Sequence, residues 1–328
     1  MTGLYVKEME VALEAVRSAA VLCRSVQHGI EPETLSKEDR SPVTVADFGS
    51  QALVCRAIDM HFPSDPIIGE EDATMLRSEQ NGATQQKVLS HVQELIPDAS
   101  TEDVLAWIDR GCSRGHSKRF WTLDPIDGTK GFLRGEQYAV ALALIVEGVV
   151  EVAVLGCPNL ADPKDPSRQG VAFVASRGGG VTATALYDKL SEAKVQVSSV
   201  DDSTEARFCE SVESGHSSHD NAARVADVLS IRRDSIRLDS QAKYAVVAAG
   251  QADIYMRLPT QARYVEKIWD HAAGMLVVEE AGGRVTDIHG KPLEFAYGGR
   301  LEGNTGVIAT NGLLHDQVLE ALRTTGVA

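Results

Sequence analysis

The stretch "WTLDPIDGTKGF", residues 121–132, sets Asp124 and Asp127 three positions apart at the end of an apolar run, with Pro125, Gly128 and Thr129 beside them. The preceding "FWTL" calls for burial as a strand. Pro125 and Gly128 then force a sharp turn able to aim both carboxylates, and the Ile126 carbonyl, at one point. Clustered hard oxygen donors of that kind suit Mg²⁺, although the same residues are good turn chemistry in their own right. Further acids stand at similar positions. "IIGEED" puts Glu70, Glu71 and Asp72 after an apolar strand, and "KIWDHAAG" puts Asp270 where an apolar segment becomes a helix. Acidic ends of this kind in one chain ask for a shared cation, while the plainer readings are a helix N-cap for Asp270 and a solvated loop start for the glutamates. Gly128 and Thr129 head the next segment, so their N–H groups are suited to receive phosphate oxygens beside a metal, and the Thr129 hydroxyl to hold a water. Asp47, in "SPVTVADFGSQ", reads on its residues alone as the polar face of a helix.

The elements that must position these groups change character along the chain. An amphipathic N-terminal helix is followed by a second, "VTVADFGSQALVCRAIDMHF". Short apolar segments come next ("PIIGEE", "RFWTLDPIDG", "YAVALALIVEG", "VVEVAVLGCP", "GVAFVASRGGG", "VTATAL"), and predict an antiparallel meander covered by the helices. A polar stretch of about 45 residues before Trp121 reads as a helical insertion, "QQKVLSHVQELI", with a Gly- and Arg-rich loop. Gly178 to Gly180 read as a hairpin turn, since no GxxxxGK[ST] follows. The run Arg110, Arg114, Lys118 and Arg119 is either a solvated loop or a flap steering an anionic ligand. Beyond residue 200 strands and helices alternate, as in an α/β domain. The expected division is an α+β metal-binding catalytic domain over 1–200 and an α/β domain over 201–328 that completes the site.

Composition limits the partners. A net charge of −15 on 328 residues argues against nucleic-acid polymers and membrane surfaces, so an anionic ligand must be met by local cations or metal. Five cysteines without a CxxC do not form a disulfide framework, which fits a reducing compartment. The N-terminal helix lacks a signal peptide's apolar centre and no stretch has the length of a membrane span. A cytoplasmic protein without an obligate protein partner, monomeric rather than oligomeric, is expected.

Taken together, "GEED", "WTLDPIDGTKGFLRG" and "WDHAAG" closely resemble the lithium-sensitive, Mg²⁺-dependent phosphatases of the inositol monophosphatase superfamily. "SPVTVADF", "GEQYAVALALIVEGVV", "GCPNL", "SVESGHSSHD", "LDSQAKYAVVAAG", "ADIYMRLP" and "YVEKIWDHAAG" are similar to its 3′(2′),5′-bisphosphate nucleotidase branch. The resemblance spans nearly the whole chain and is weakest over residues 73–118. It implies a layered α/β/α/β/α sandwich. It also implies two to three Mg²⁺ ions: one on Glu70, Asp124 and the Ile126 carbonyl, a second on Asp124, Asp127 and Asp270, and a looser third helped by Glu70. Asp47 and Thr129 would position and deprotonate the attacking water, against the polar-face reading of Asp47.

The same resemblance implies substrate contacts from Gly128, Thr129, His216, Ser240, Lys243 and Arg257. Lys243 and Arg257 would neutralise an uncleaved phosphate, and His216 and Ser240 would reach base or ribose. On residues alone, Lys243 reads as one exposed helix residue, Arg257 as an outward strand residue, and "HSSHD" as a helix start capped by Ser217 and Asp220. His216 and His219 lack the further ligands a zinc site needs. The implied activity is a Li⁺-inhibited phosphatase releasing the 3′-phosphate of adenosine 3′,5′-bisphosphate, and of its sulfated relative 3′-phosphoadenylyl sulfate. An inositol phosphate phosphatase is the alternative, and a ligand sensor without turnover is disfavoured by the full set of matched acids.

Overall fold

Small apolar residues recurring every three to four positions, Met9, Ala12, Val16, Ala19, Cys23 and Val26, make the first helix amphipathic and let a second one approach closely. These are α1 (Val6–His28) and α2 (Ser41–His61), which pack along each other. The computed structural model describes residues 4–30, 41–113, 117–163, 165–188, 192–212, 219–261 and 264–328. His216, Ser217 and Arg114 therefore lie outside the described residues. Among the described residues, no helix is long and apolar enough to cross a membrane.

A seven-stranded sheet follows in simple chain order. It comprises β1 (Ile67–Gly69), β2 (Arg119–Asp127), β3 (Ala139–Val146), β4 (Val149–Ala161), β5 (Gln169–Ser176), β6 (Gly180–Ala185) and β7 (Glu192–Lys194). From β2 onward it is the expected antiparallel meander, with the β5–β6 hairpin at Gly178 and Gly180. The first strand departs from that expectation. It pairs parallel to β2, because the insertion between them carries the chain back to the same end of the sheet. That insertion holds α3 (Gly82–Gln93) and α4 (Thr101–Asp109), the second opened by a capping box of Ser100 and Asp103.

The short helix α5 (Thr129–Leu133) caps β2. The second half builds β8 (Phe208–Glu210), α6 (His219–Val228), β9 (Ile236–Arg237), α7 (Ala242–Ala248), β10 (Ile254–Arg257), α8 (Ala272–Glu280), β11 (Arg284–Thr286), β12 (Val307–Thr310) and α9 (His315–Thr325). Its five strands order as β11-β12-β10-β8-β9.

Burial resolves this into layers. Val140, Leu142, Val152 and Val154 turn one sheet face to α1 and α2, while Ala141, Ala143, Leu155 and Phe173 turn the other to Tyr244 of α7 and Leu276 and Val277 of α8. Cys209, Tyr255, Val285 and Ala309 of the smaller sheet close on those same helices from beyond. Phe208, Ile254, Met256 and Ile308 face Val225 of α6 and Val318 and Leu322 of α9. The order is helices, seven-stranded sheet, helices, five-stranded sheet, helices, the α/β/α/β/α sandwich. The middle core draws on both halves of the chain, so α7 and α8 bring their first residues against the sheet that carries the acids.

Candidate active site

In a regular strand, side chains three residues apart point to opposite faces. Asp124 and Asp127 escape this through a bulge. Asp124 pairs with Ala141 and Asp127 with Ala139, so two residues of β2, Pro125 and Ile126, stand against the single residue Val140. Pro125 has no N–H to lose from the ladder. The extra residue restores both carboxylates to the face of Ala139 and Ala141, toward α7 and α8, and sends the Ile126 side chain into the core under α1 and α2. Parallel pairing of β1 with β2, Gly69 opposite Leu123, then delivers Glu70 beside Asp124. Asp270 joins from the segment leading into α8.

Asp47 belongs to this group. It is 6% exposed, which overturns the polar-face reading, and sits one turn before Ser50, whose hydroxyl donates to the Pro125 carbonyl at 2.9 Å. Burial, then the charges of Glu71 and Glu70, pushes its carboxyl well above the ordinary range. Burial and the neighbouring acids also raise Asp124, take Glu70 to about 8 and Asp270 to about 6, while a hydrogen bond between Glu70 and Asp124 eases Glu70.

Such crowding without a cation is costly, and two of the oxygens are visibly unprovided for. Asp47 Oδ1 and Asp124 Oδ1 are buried and accept no hydrogen bond from any described residue. Orphaned carboxylate oxygens in an all-oxygen donor set fit a hard divalent cation, for which Glu70, Asp124, Asp127 and Asp270 are the available donors. Glu266, Asp270 and His271 also lie within mutual reach of an ion. There, however, Arg257 already supplies the cation: its Nε is 2.8 Å from Glu266 and its Nη2 3.3 Å from Asp270. His271 spans from Glu266, at 3.1 Å, to the Tyr244 hydroxyl, at 2.7 Å. Burial pushes Glu266 up, yet its hydrogen bond to His271 and the Arg257 charge hold it below the usual carboxylate range.

Several simple readings of the sequence are corrected by these contacts. Asp270 is not a helix cap, since His271 occupies that position and Asp270 turns to Arg257. Arg257 does not point outward, because the two acids hold it in. Lys243 is buried at 4% exposure, its ammonium donating to Ser240 O at 2.7 Å and Leu238 O at 3.3 Å above the Tyr255 ring. Burial lowers its pKa. Within the basic run, Arg110 and Arg119 are held by acids, whereas Lys118 is solvated as the plainer reading expects. Arg110 pairs with Asp59, Arg119 with Asp65 and Glu8, and Lys118 with Glu147.

Gly128 and Ser240 meet where β2 turns into α5. Gly128 has φ +89°, and a Cβ there would stand 2.8 Å from the Ser240 Cβ, so glycine is required. Ser240 itself has φ +68°. Beside it, the Gln241 N–H donates to Asp127 Oδ2 at 2.6 Å. Thr129 opens α5 directly after this junction.

Two glutamines that the sequence did not single out tie the acidic segments together. Gln51 Oε1 accepts from the Glu71 N–H at 3.1 Å, and its Nε2 donates to Glu71 O at 2.5 Å and Ile108 O at 3.0 Å. Gln241 Nε2 donates to Trp269 O at 2.9 Å, and its Oε1 accepts from the Gly274 N–H at 3.0 Å. The first fixes the Glu70 loop to the helix of Asp47, and the second fixes the Asp270 segment to Asp127. Their only signal is polarity inside apolar runs.

The inositol monophosphatase family matches residues 5–326. The 3′(2′),5′-bisphosphate nucleotidase of Schizosaccharomyces pombe is 44% identical over 334 residues, covering 96% of this chain and 94% of that protein. Those of Emericella nidulans and Oryza sativa are 42% and 43% identical, each covering 97% of this chain and respectively 98% and 94% of their own. Among solved structures, an inositol monophosphatase from Zymomonas mobilis superposes with a TM-score of 0.67 at 20% identity, covering 98% of this chain and 100% of that one. The Thermotoga maritima IMPase gives 0.65, also at 20% identity, with the same coverage. Family membership implies use of a divalent metal, for which the acidic cluster supplies the donors. Matched almost from end to end, the chain belongs to the inositol monophosphatase family, a family of phosphatases.

Proposed function

We propose that the chain hydrolyses the 3′-phosphate of adenosine 3′,5′-bisphosphate, and of 3′-phosphoadenylyl sulfate, to AMP or adenylyl sulfate and phosphate. The reading includes two to three Mg²⁺ ions, inhibition by Li⁺, and action in a reducing, cytoplasmic setting. The observation that carries the chemistry is the convergence of Glu70, Asp124 and Asp270 with the orphaned oxygens of Asp47 and Asp124. The nucleotide substrate is supported by relatives of that name at 41–44% identity.

When bound, the divalent ions neutralise phosphate oxygens, acidify the attacking water and stabilise the leaving alkoxide. The chain's own residues do the rest. Asp47 receives the water's proton, with the Thr129 hydroxyl orienting that water. The N–H groups of Gly128 and Thr129 take oxygens of the scissile phosphate. Arg257, Lys243 and Ser240 serve the uncleaved phosphate and ribose, Lys243 lending charge from behind Ser240, and His216 serves the base. Arg257 is preorganised by Glu266, which limits the side-chain freedom lost when an anion binds.

The test is a turnover comparison of adenosine 3′,5′-bisphosphate, inositol 1,4-bisphosphate and inositol 1-phosphate in Mg²⁺, with and without Li⁺. A nucleotide preference with Li⁺ inhibition is expected. Preference for an inositol phosphate would replace the nucleotide reading, and full activity in chelator would end the metal reading.

A further inference from the structure

The acidic cluster has two flanks. On one, Ser240, Gln241 and Lys243 gather at Asp127. On the other, Gln51, one turn beyond Asp47, holds the Glu71 backbone and packs against Gly69 and Gly111. A cavity of about 550 Å³ opens on this second flank, walled by Gly69 to Asp72 and by Gly111 to Ser113, with Glu70 shared between cavity and cluster. Its far wall carries Lys267, Trp269 and Arg300, with the carboxylate of Glu302 also in the lining.

Lys267 and Arg300 face each other in an antiparallel bridge, so their side chains leave the same side. The Lys267 ammonium lies 5.2 Å from the centre of the Trp269 ring. Neither cation pairs with a carboxylate among the described residues. The lining holds four acids, Glu70, Glu71, Asp72 and Glu302, so this pair of cations, with the site's other described arginines Arg257 and Arg110 committed to acids, marks the stretch of the cavity suited to an anion.

The chemistry names that anion. Attacking and leaving oxygens lie roughly in line during phosphoryl transfer. Water held by Asp47 enters from the Glu71 flank, and the nucleoside departs on the Asp127 flank. Inversion carries phosphorus toward the water's side, so the free phosphate starts its exit on the flank away from the nucleotide. We infer that this cavity is the exit for inorganic phosphate, with Lys267 and Arg300 as the cations that receive it from the acidic cluster. This rests on the phosphatase reading above. Glu71 and Asp72 on the near wall repel the dianion outward, and the two cations on the far wall give that repulsion a direction.

The test uses the whole chain and its Lys267→Ala, Arg300→Ala and double variants, all altered at positions outside the core. Product inhibition of nucleotide hydrolysis is measured separately with inorganic phosphate and with AMP. In the double variant the phosphate inhibition constant is expected to rise about fivefold to tenfold, with AMP inhibition and KM unchanged. An unchanged phosphate constant overturns the inference, and so does an equal loss for both products, which would mark a general field effect. Should the wild type not turn over nucleotides, the substrate reading fails by itself. Calorimetric titration of inorganic phosphate into wild type and double variant then decides the exit site, weaker binding in the variant supporting it and equal binding refuting it.

Discussion

Asp47 is the residue on which the chemistry turns most directly, since its Oδ1 is buried and accepts no hydrogen bond from any described residue. Asp47→Asn keeps the volume and removes the proton acceptor. It is expected to lower kcat about a hundredfold to ten-thousandfold with KM little changed, measured under saturating Mg²⁺. Unchanged turnover would return Asp47 to a structural role. Gln51 works at one remove. Gln51→Leu leaves the Glu71 N–H and the carbonyls of Glu71 and Ile108 without their partner, and frees the loop that carries Glu70. Supporting contacts of this kind are worth about tenfold to a hundredfold in metal affinity. Calorimetric titration should therefore show Mg²⁺ binding weakened by that factor, with kcat largely recovered at high Mg²⁺. Unaltered Mg²⁺ affinity would reduce Gln51 to a core residue.

Among the elements, the junction of β2, α5 and the start of α7 carries the tightest constraint. Gly128→Ala puts a side chain at φ +89° and against Ser240, which costs roughly 1–3 kcal/mol. The misfit falls on the N–H groups assigned to the phosphate, so kcat/KM is expected to drop more than tenfold along with a lower thermal midpoint. A fall in stability with kcat/KM intact would detach this turn from the site. The junction also marks how far the sequence could be read. "DPIDGT" announced a turn and a pair of acids, because those residue types have local meanings. That Pro125 and Ile126 form a bulge, and so put both acids on one face, depends on pairing with Val140, which no local pattern encodes. The parallel pairing of β1 was missed for the same reason. The meander and the later alternation were legible, since period and turn residues set them. Gln51, Gln241, Glu266 and His271 were not, for their partners are backbone atoms and side chains fixed only by the packed layers. Lys243 and Arg257 looked exposed when judged by type alone, and the tertiary partners that bury them are likewise invisible in a local window.

For the molecule as a whole, the layered arrangement buries polar groups far from the site, and one of them gives the fold a pH dependence of its own. His315, at the start of α9, is fully buried against the paired strands β11 and β12. Its Nε2 lies 2.9 Å from the Thr286 hydroxyl and its Nδ1 3.0 Å from that of Thr310. The Thr286 hydroxyl donates to the Asp287 carbonyl, so it accepts from Nε2–H, which leaves Nδ1 to accept from Thr310. The neutral ring is thus fully satisfied, and a second proton would meet a donor. Burial, reinforced by the nearby Arg284, holds the His315 pKa down at about 4 from an ordinary 6.5. Because the unfolded chain binds this proton more readily, the contribution is fully present above pH 6.5 and is lost as pH falls toward 4. The full difference is on the order of 3 kcal/mol. Denaturant midpoints of wild type and His315→Gln are therefore expected to converge between pH 7 and pH 5, the wild type losing about 2 kcal/mol more over that interval than the variant. Profiles that run parallel would exclude His315 as the titrating group. If the variant does not fold, the imidazole resonances of His315 in the wild type carry the same decision: a ring that protonates with a midpoint near 6.5 in the folded state would sink the argument, and one still neutral at pH 5 would sustain it.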